Sequence, residues 1–193
     1  MASLFFQCIH VIRIDDPGLV SSRDDNWQEK GREFFGRQLY EDAARCFERA
    51  HDTQSCSIAK AFLARQNADN LRPEDPKRAQ MYHQSGLAFQ SSARVDAPRL
   101  EQKGLWSRAA ECFFNGGSHL NAGRSYKEAE SYDNCVSELI KAAAFDEAVD
   151  IIRSHRPSIQ TPIVENAIEA AKMGYTEACL HRFVFWSLKS VHC

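Results

Sequence analysis

Apolar and small residues recur at helical spacing along most of this chain, and the clearest stretch runs from Trp27 to Ala50. Trp27, Gly31 and Phe34 share one face; after a break at Gly36, Tyr40, Ala43, Phe47 and Ala50 repeat the i, i+3, i+4 rule. The pattern predicts two short amphipathic helices folded as a hairpin. Gly31, Ala43 and Ala50 let helix backbones approach, while Trp27, Phe34, Tyr40 and Phe47 fill the space around those contacts. A third helix follows over Thr53 to Ala68, with Ile58, Ala61 and Phe62 on one face. Asp75-Pro76 reads as a cap with proline at the first helical position, so a helix should run through Tyr82 and Phe89.

The same signal returns at Asp96-Ala97-Pro98, opening a helix expected to end near Gly104, with the next starting at Leu105 and buried through Trp106, Ala109 and Phe113. Gly116-Gly117 breaks that helix, and Ser118 to Glu130 forms another, in which Ala122, Tyr126 and Ala129 match Ala43, Phe47 and Ala50. Cys135 to Ala144 pairs with Phe145 to Arg153, where Phe145 and Ala148 open the helix and Val149 and Ile152 should continue its buried face. Pro157 closes the pair. Thr161-Pro162 starts a helix to Met173, Gly174 is expected to turn the chain, and Tyr175 and Ala178 begin the theme again.

The ends read differently. Leu4 to Ile14 is rich in β-branched residues and suits an extended segment. Asp15 to Gly18 is a turn, and Asp24 or Asp25 should cap the first helix. Near the other end, Phe183, Val184, Phe185, Trp186 and Leu188 put large apolar groups on more than one helical face, as an interface with further chain would. The expected organisation is an extended segment and linker over 1–23, a helical domain over 24–188 and a tail over 189–193.

The order Trp27, Gly31, Phe34, Tyr40, Ala43, Phe47, Ala50 resembles a tetratricopeptide (TPR) repeat, except that Ser55 stands where such repeats usually carry proline. The segment Leu-Trp-Ser-Arg-Ala-Ala-Glu-Cys-Phe starting at Leu105 aligns without gaps on Leu-Tyr-Glu-Asp-Ala-Ala-Arg-Cys-Phe starting at Leu39, a separation close to twice the period of such repeats. One hairpin cannot bury its own apolar face, so several should stack. The predicted fold is all-α: TPR-like antiparallel helical hairpins stacked as an α-solenoid, with a short extended segment at the N-terminus.

Composition narrows the function. The 193 residues carry 24 Lys plus Arg against 26 Asp plus Glu, a net charge of -2 that gives no global field for nucleic acid or an acidic membrane surface. No apolar run approaches the roughly 20 residues of a membrane helix, and Met1 to Ile14 lacks the basic start and cleavage pattern of a signal peptide, so no membrane partner is expected. Seven widely spaced cysteines without a Cys-x-x-Cys pair fit reduced thiols in the cytoplasm or nucleus.

Candidate chemistry yields to packing. Cys46 and Cys112 hold equivalent helix positions beside buried aromatics, and Cys179 and His181 point apart on a helix. No Cys or His pair has zinc-like spacing, so no metal and no cofactor is expected. Asp15-Asp16, Asp24-Asp25 and Glu41-Asp42 sit in turns or at helix starts, where carboxylates complement exposed amides. Arg65, Arg72, Lys77 and Arg78 flank a proline loop without the interleaved aromatics that single-strand binding uses. Trp106 and Phe113 could hold a peptide, but their spacing favours a core role. A groove gripping a terminal carboxylate needs Lys and Asn where Gln28 and Arg32 stand, which disfavours that mode.

Ile9 to Asp52 has a narrower likeness. Ile9-His10-Val11-Ile12 with Asp15-Asp16, then Trp27, Gly31, Phe34 or Phe35, Tyr40, Ala43, Cys46-Phe47-Glu48-Arg49-Ala50 and Asp52, resembles the segment after the helicase module in large UvrD-like, superfamily 1 proteins with TPR and ankyrin repeats. The helicase core is absent here, with no Gly-x-x-x-x-Gly-Lys-Ser/Thr loop to cradle phosphates, so the resemblance implies an associated module and no ATPase. The expected function is a non-catalytic scaffold for a protein partner. The alternative is an accessory or truncated part of an ATP-dependent UvrD-like helicase, touching nucleic acid only through that enzyme.

Overall fold

In the computed structural model, residues 26–94 and 99–189 are described, with side chains at 26–94, 101–174 and 176. The expected extended segment, the Asp24/Asp25 cap, the Asp96-Ala97-Pro98 signal and the apolar groups of Phe183 to Leu188 lie outside them. The described residues form an all-α array of antiparallel helical hairpins, each helix packed chiefly on its chain neighbours. The helices are α1 (Trp27–Gly36), α2 (Tyr40–Arg49), α3 (Thr53–Asp69), α4 (Pro76–Ala93), α5 (Arg99–Asn115), α6 (His119–Glu128), α7 (Tyr132–Lys141), α8 (Phe145–His155) and α9 (Thr161–Lys189), with a 3-10 turn at Arg156–Ser158.

Contacts that skip one helix sort the array into two layers. Phe35 of α1 meets Phe62 of α3 edge to face at 5.2 Å, Arg65 of α3 pairs with Glu111 of α5 at 3.1 Å, and Lys141 of α7 stands 5.2 Å above the Phe114 ring of α5. The Gln160 N–H, just before α9, donates to Asp133 of α7 at 2.9 Å. In the other layer Gln90 of α4 donates to Ser125 of α6 at 2.9 Å, and Arg124 of α6 makes two bonds, 3.0 and 2.6 Å, to Glu147 of α8.

Among the described residues, five connections use one backbone device. After α1, α2, α5, α6 and α7 a residue in the left-handed region closes the helix: Gln38 (φ 61°), His51 (55°), Gly117 (71°), Glu130 (58°) and Ala143 (54°). In each, the N–H of the next residue returns to a carbonyl in the last turn, as Leu39 does to Phe34, Asp52 to Phe47, Ser118 to Phe113, Ser131 to Tyr126 and Ala144 to Leu139. This is the double-bonded C-terminal cap that satisfies orphan carbonyls. Only one of the five is glycine, so four L-residues hold a conformation that disfavours them by roughly 1–2 kcal/mol each.

The device recurs at one fixed step: Gln38 to His51, Gly117 to Glu130 and Glu130 to Ala143 are equally spaced. Each step is one short helix and a three-residue connection, so these hairpins are more compact than the unit of a TPR array. The alignment of Leu105 on Leu39 spans α2 to α5 with the longer α3 and α4 between them, 17 and 18 residues, and does not reflect two equal units of TPR length. Its burial is nonetheless repeated: Ala43, Ala44, Cys46 and Phe47 of α2, Ala109, Ala110, Cys112 and Phe113 of α5, and Cys135, Val136, Glu138 and Leu139 of α7 are all buried.

Glycines permit the tightest of these contacts. A Cβ on Gly31 would stand 2.7 Å from the Phe47 ring, one on Gly86 2.8 Å from Phe113, and one on Gly123 2.9 Å from Leu139. Two glycines do not act as expected. Gly104 lies inside α5, which runs unbroken from Arg99, and nothing stands within 4 Å of its Cβ position. Gly174 lies inside α9, and no turn separates Met173 from Tyr175 and Ala178. A Cβ there would meet the Phe145 ring at 2.1 Å, so this glycine admits a ring instead of turning the chain. In α8, Val149 is 37% exposed, and Ile151 takes the buried position with Ala148. Ile152 is half-buried against the same core, as expected, so Val149 alone departs from the predicted face.

Caps at α3 and α4 follow the expected chemistry. Asp75 accepts from Lys77 N–H at 2.9 Å with Pro76 in the first turn. Asp52 accepts from Ser55 N–H at 3.0 Å, the proton that a proline at position 55 would lack. That bond gives the departure at Ser55 a physical reason.

Candidate functional site

The residues singled out by spacing fall into two groups. Gly31, Ala43, Phe47, Ala109, Phe113 and Ala148 are buried, whereas Trp27, Phe34, Tyr40, Ala50, Trp106 and Phe145 are half-buried around them. Tyr175 and Ala178 are placed on α9 by their backbone, and their side chains lie outside the description. Phe34, Ala43 and Phe47 belong to one packed cluster, Trp106, Ala109 and Phe113 to a second and Ala148 to a third, so the set is not gathered in one site.

The polar candidates are absorbed locally. Gln28 Nε2 donates to Asp52 Oδ2 at 3.1 Å. Burial opposes ionisation of Asp52, yet bonds from Ser55 and Gln28 and the charge of Arg32 hold its carboxyl below the ordinary range. Thus Gln28 and Arg32 serve the start of α3. Arg65 is paired with Glu111, and Arg78 stacks on Tyr82 with its guanidinium 5.3 Å from the ring centroid. Cys46, Cys56, Cys112 and Cys135 are free and buried. Burial pushes the thiols of Cys46 and Cys112 up and that of Cys135 to about 12, which keeps them protonated and poorly nucleophilic at neutral pH.

One position breaks the pattern. Where α2 and α5 carry Cys46 and Cys112, α7 carries Glu138, whose side chain is 5% exposed. His119 Nδ1 of α6 lies 2.8 Å from its Oε2, and Lys141 Nζ lies 2.6 Å from its Oε1. Both carboxylate oxygens are thereby engaged, and the charge clasps α6 to α7.

A recess forms where helix lengths change. At about 1.5 Å per residue, the 17 residues of α5 outreach the 10-residue α6 and α7 by about 10 Å. The first turns of α5 overhang that hairpin and leave a cleft of about 430 Å³ between them and the C-terminal turn of α8. Gln102, Lys103 and Trp106 form one wall; Lys127, Glu128 and Glu130 a second; Tyr132 and His155 a third. The last two rings stack at 4.0 Å and 12°. Lys103 Nζ is ion-paired with Glu130, the left-handed residue of the α6–α7 connection. The cleft falls within the size range typical of binding pockets.

Trp106 is the one residue of this cleft that spacing marks. Tyr132, His155, Lys103 and Glu128 were missed, because each sits near a helix end where periodicity carries little signal. No family model, curated protein or solved structure matches the chain. Among the described residues no helix is long and apolar enough to cross a membrane, and no group of three His, Cys, Asp or Glu side chains is arranged to hold a metal.

Proposed function

We propose that this chain is a non-catalytic helical-repeat scaffold that binds a protein partner through the cleft between α5 and the α6–α8 segment. The supporting observation is the cleft itself: half-buried rings beside opposed charges, in a recess that core packing leaves open. An extended peptide segment is the occupant such a surface suits, since aromatic walls supply contact area and flanking charges fix register. The resemblance over residues 9–52 supports a setting beside an ATP-dependent UvrD-like helicase, with nucleic acid reached only through that enzyme.

The test is selection of peptides from a displayed random library on the immobilised full chain. Lys127→Trp places a bulky ring in the cleft from an exposed position and leaves the core untouched. Enriched peptides should bind the parent chain and lose that binding on the Lys127→Trp variant. A library that yields no peptide sensitive to this plug would overturn the reading.

A further inference from the structure

The cleft beside α5 divides by exposure into an inner part and a rim. Lys103, Trp106, Glu130, Tyr132 and His155 are half-buried, whereas Lys127 and Glu128 are exposed. The two rim charges are of opposite sign, and inside the cleft Lys103 is ion-paired with Glu130. Neither part carries an excess of one charge. A charged occupant would give up its hydration here for no compensating field, so an uncharged occupant loses least on leaving water.

Hydrogen-bonding capacity inside the cleft is lopsided. Trp106 packs on the cluster around Phe89 and Phe113 with Arg94 5.9 Å from its ring, and Tyr132 packs on the cluster around Val136 and Ile151 and stacks on His155. These contacts use ring surface, and among the described residues neither the Trp106 indole N–H nor the Tyr132 hydroxyl makes a hydrogen bond. An indole can only donate, and a phenol donates readily. The inner carboxylate, Glu130, is already engaged by Lys103. The inner part therefore offers two donors without partners beside a carboxylate that has one.

We infer that the cleft takes a proline-rich segment of the partner in the polyproline II conformation, its carbonyls accepting from the Trp106 indole N–H and the Tyr132 hydroxyl. This rests on reading the cleft as a protein-binding surface. An ordinary extended segment carries an N–H for every carbonyl, and each N–H turned toward this surface would need an acceptor. A run of prolines brings carbonyls without N–H groups and carries no charge. Its backbone makes no internal hydrogen bonds and is extended before it binds, so little ordering entropy is lost on docking. Aromatic-lined grooves take such segments for these reasons.

The experiment titrates the ¹⁵N-labelled full chain with acetylated hexaproline amide, and in parallel with its all-D mirror image and a capped glycine-serine hexamer, following amide and indole resonances. The mirror image keeps the composition of hexaproline and reverses the hand of its helix. Hexaproline should shift the Trp106 indole and the amides of residues 130–132, with both controls weaker by about tenfold. Tyr132→Phe keeps the ring that stacks on His155 and removes only the hydroxyl, and should weaken hexaproline by about fivefold. Raising the salt from about 50 to about 500 mM should leave the affinity within about twofold, because screening acts on charged occupants. Equal binding of the mirror image or of the glycine-serine hexamer, an unchanged Tyr132→Phe, or a lysine or glutamate hexamer that binds as tightly as hexaproline would each overturn the assignment. Should library peptides respond to Lys127→Trp while hexaproline leaves the cleft unmoved, the proline assignment fails and the scaffold reading stands. Should neither the library nor hexaproline engage the cleft, both fail.

Discussion

The long helices α3, α4 and α5 and the short hairpin α6–α7 solve the same packing problem with different means. The long set buries aromatic mass: Phe89 and Phe113 are fully buried, Phe62 meets Phe89 edge to face at 5.0 Å, and Ser85 donates to the Ala61 carbonyl at 2.8 Å inside the stack. The short hairpin has fewer turns to pack and adds polar clasps to a smaller core of Cys135, Val136 and Leu139, with Glu138 held between His119 and Lys141 and Arg124 bound twice to Glu147. Where the two regimes join, the surplus turns of α5 have nothing to cover, and the cleft is the result.

The largest effect should come from the aromatic regime. Phe113→Ala is expected to destabilise by about 3–5 kcal/mol, because a fully buried ring facing Gly86 leaves a cavity that rigid neighbours cannot fill. Phe47→Ala should fall at the lower end of that range, since among the described residues its hairpin is flanked by α3 alone and can collapse more readily. Denaturant midpoints measure both. An unchanged midpoint for Phe113→Ala would remove the ring from the core.

Glycine substitutions sharpen the comparison at intermediate size. Gly86→Ala forces a Cβ to 2.8 Å from Phe113 and should destabilise by about 1–3 kcal/mol. Gly104→Ala, in open space within α5, should stabilise by roughly 0.5–1 kcal/mol through helix propensity. Thermal midpoints moving in opposite directions would establish that one glycine is required by a contact and the other is not.

The polar clasp should show the smallest effect and a distinct pH signature. Hydrogen bonds from Arg124 hold the Glu147 carboxyl below its ordinary range. A carboxyl depressed in the folded state contributes stability above its unfolded pKa, and loses it as pH falls through the folded value. Both side chains are substantially exposed, so screening limits the pair to roughly 0.5–1 kcal/mol. Glu147→Gln should thus be less stable than the parent at pH 7, with the difference shrinking as pH falls below about 4.5 and with added salt. A gap that persisted at pH 2 would assign the loss to packing.

Much of the fold was legible because burial in a helix follows the helical repeat. Ala43, Phe47, Ala109, Phe113 and Ala148 could be named from spacing, and all are buried. The breaks were less legible, since glycine has two uses. Gly117 takes a positive φ and ends a helix, while Gly174 stays helical and admits the Phe145 ring. Nothing in the adjoining residues separates the two, because the second use depends on a side chain carried by the preceding helix, α8.

By itself, then, the sequence determined the helical class, the hairpin at Trp27 to Ala50, the cap at Asp75 and the identity of most core positions. These are local properties, written in periodicity and in side chains that bond backbone amides nearby. Only the tertiary structure decided the even step of the short helices, the exchange of cysteine for a clasped Glu138, and the cleft that joins Gln102 to His155. Each of these depends on how far one helix outreaches another or on which residue stands opposite, and such relations exist only once the layers have packed.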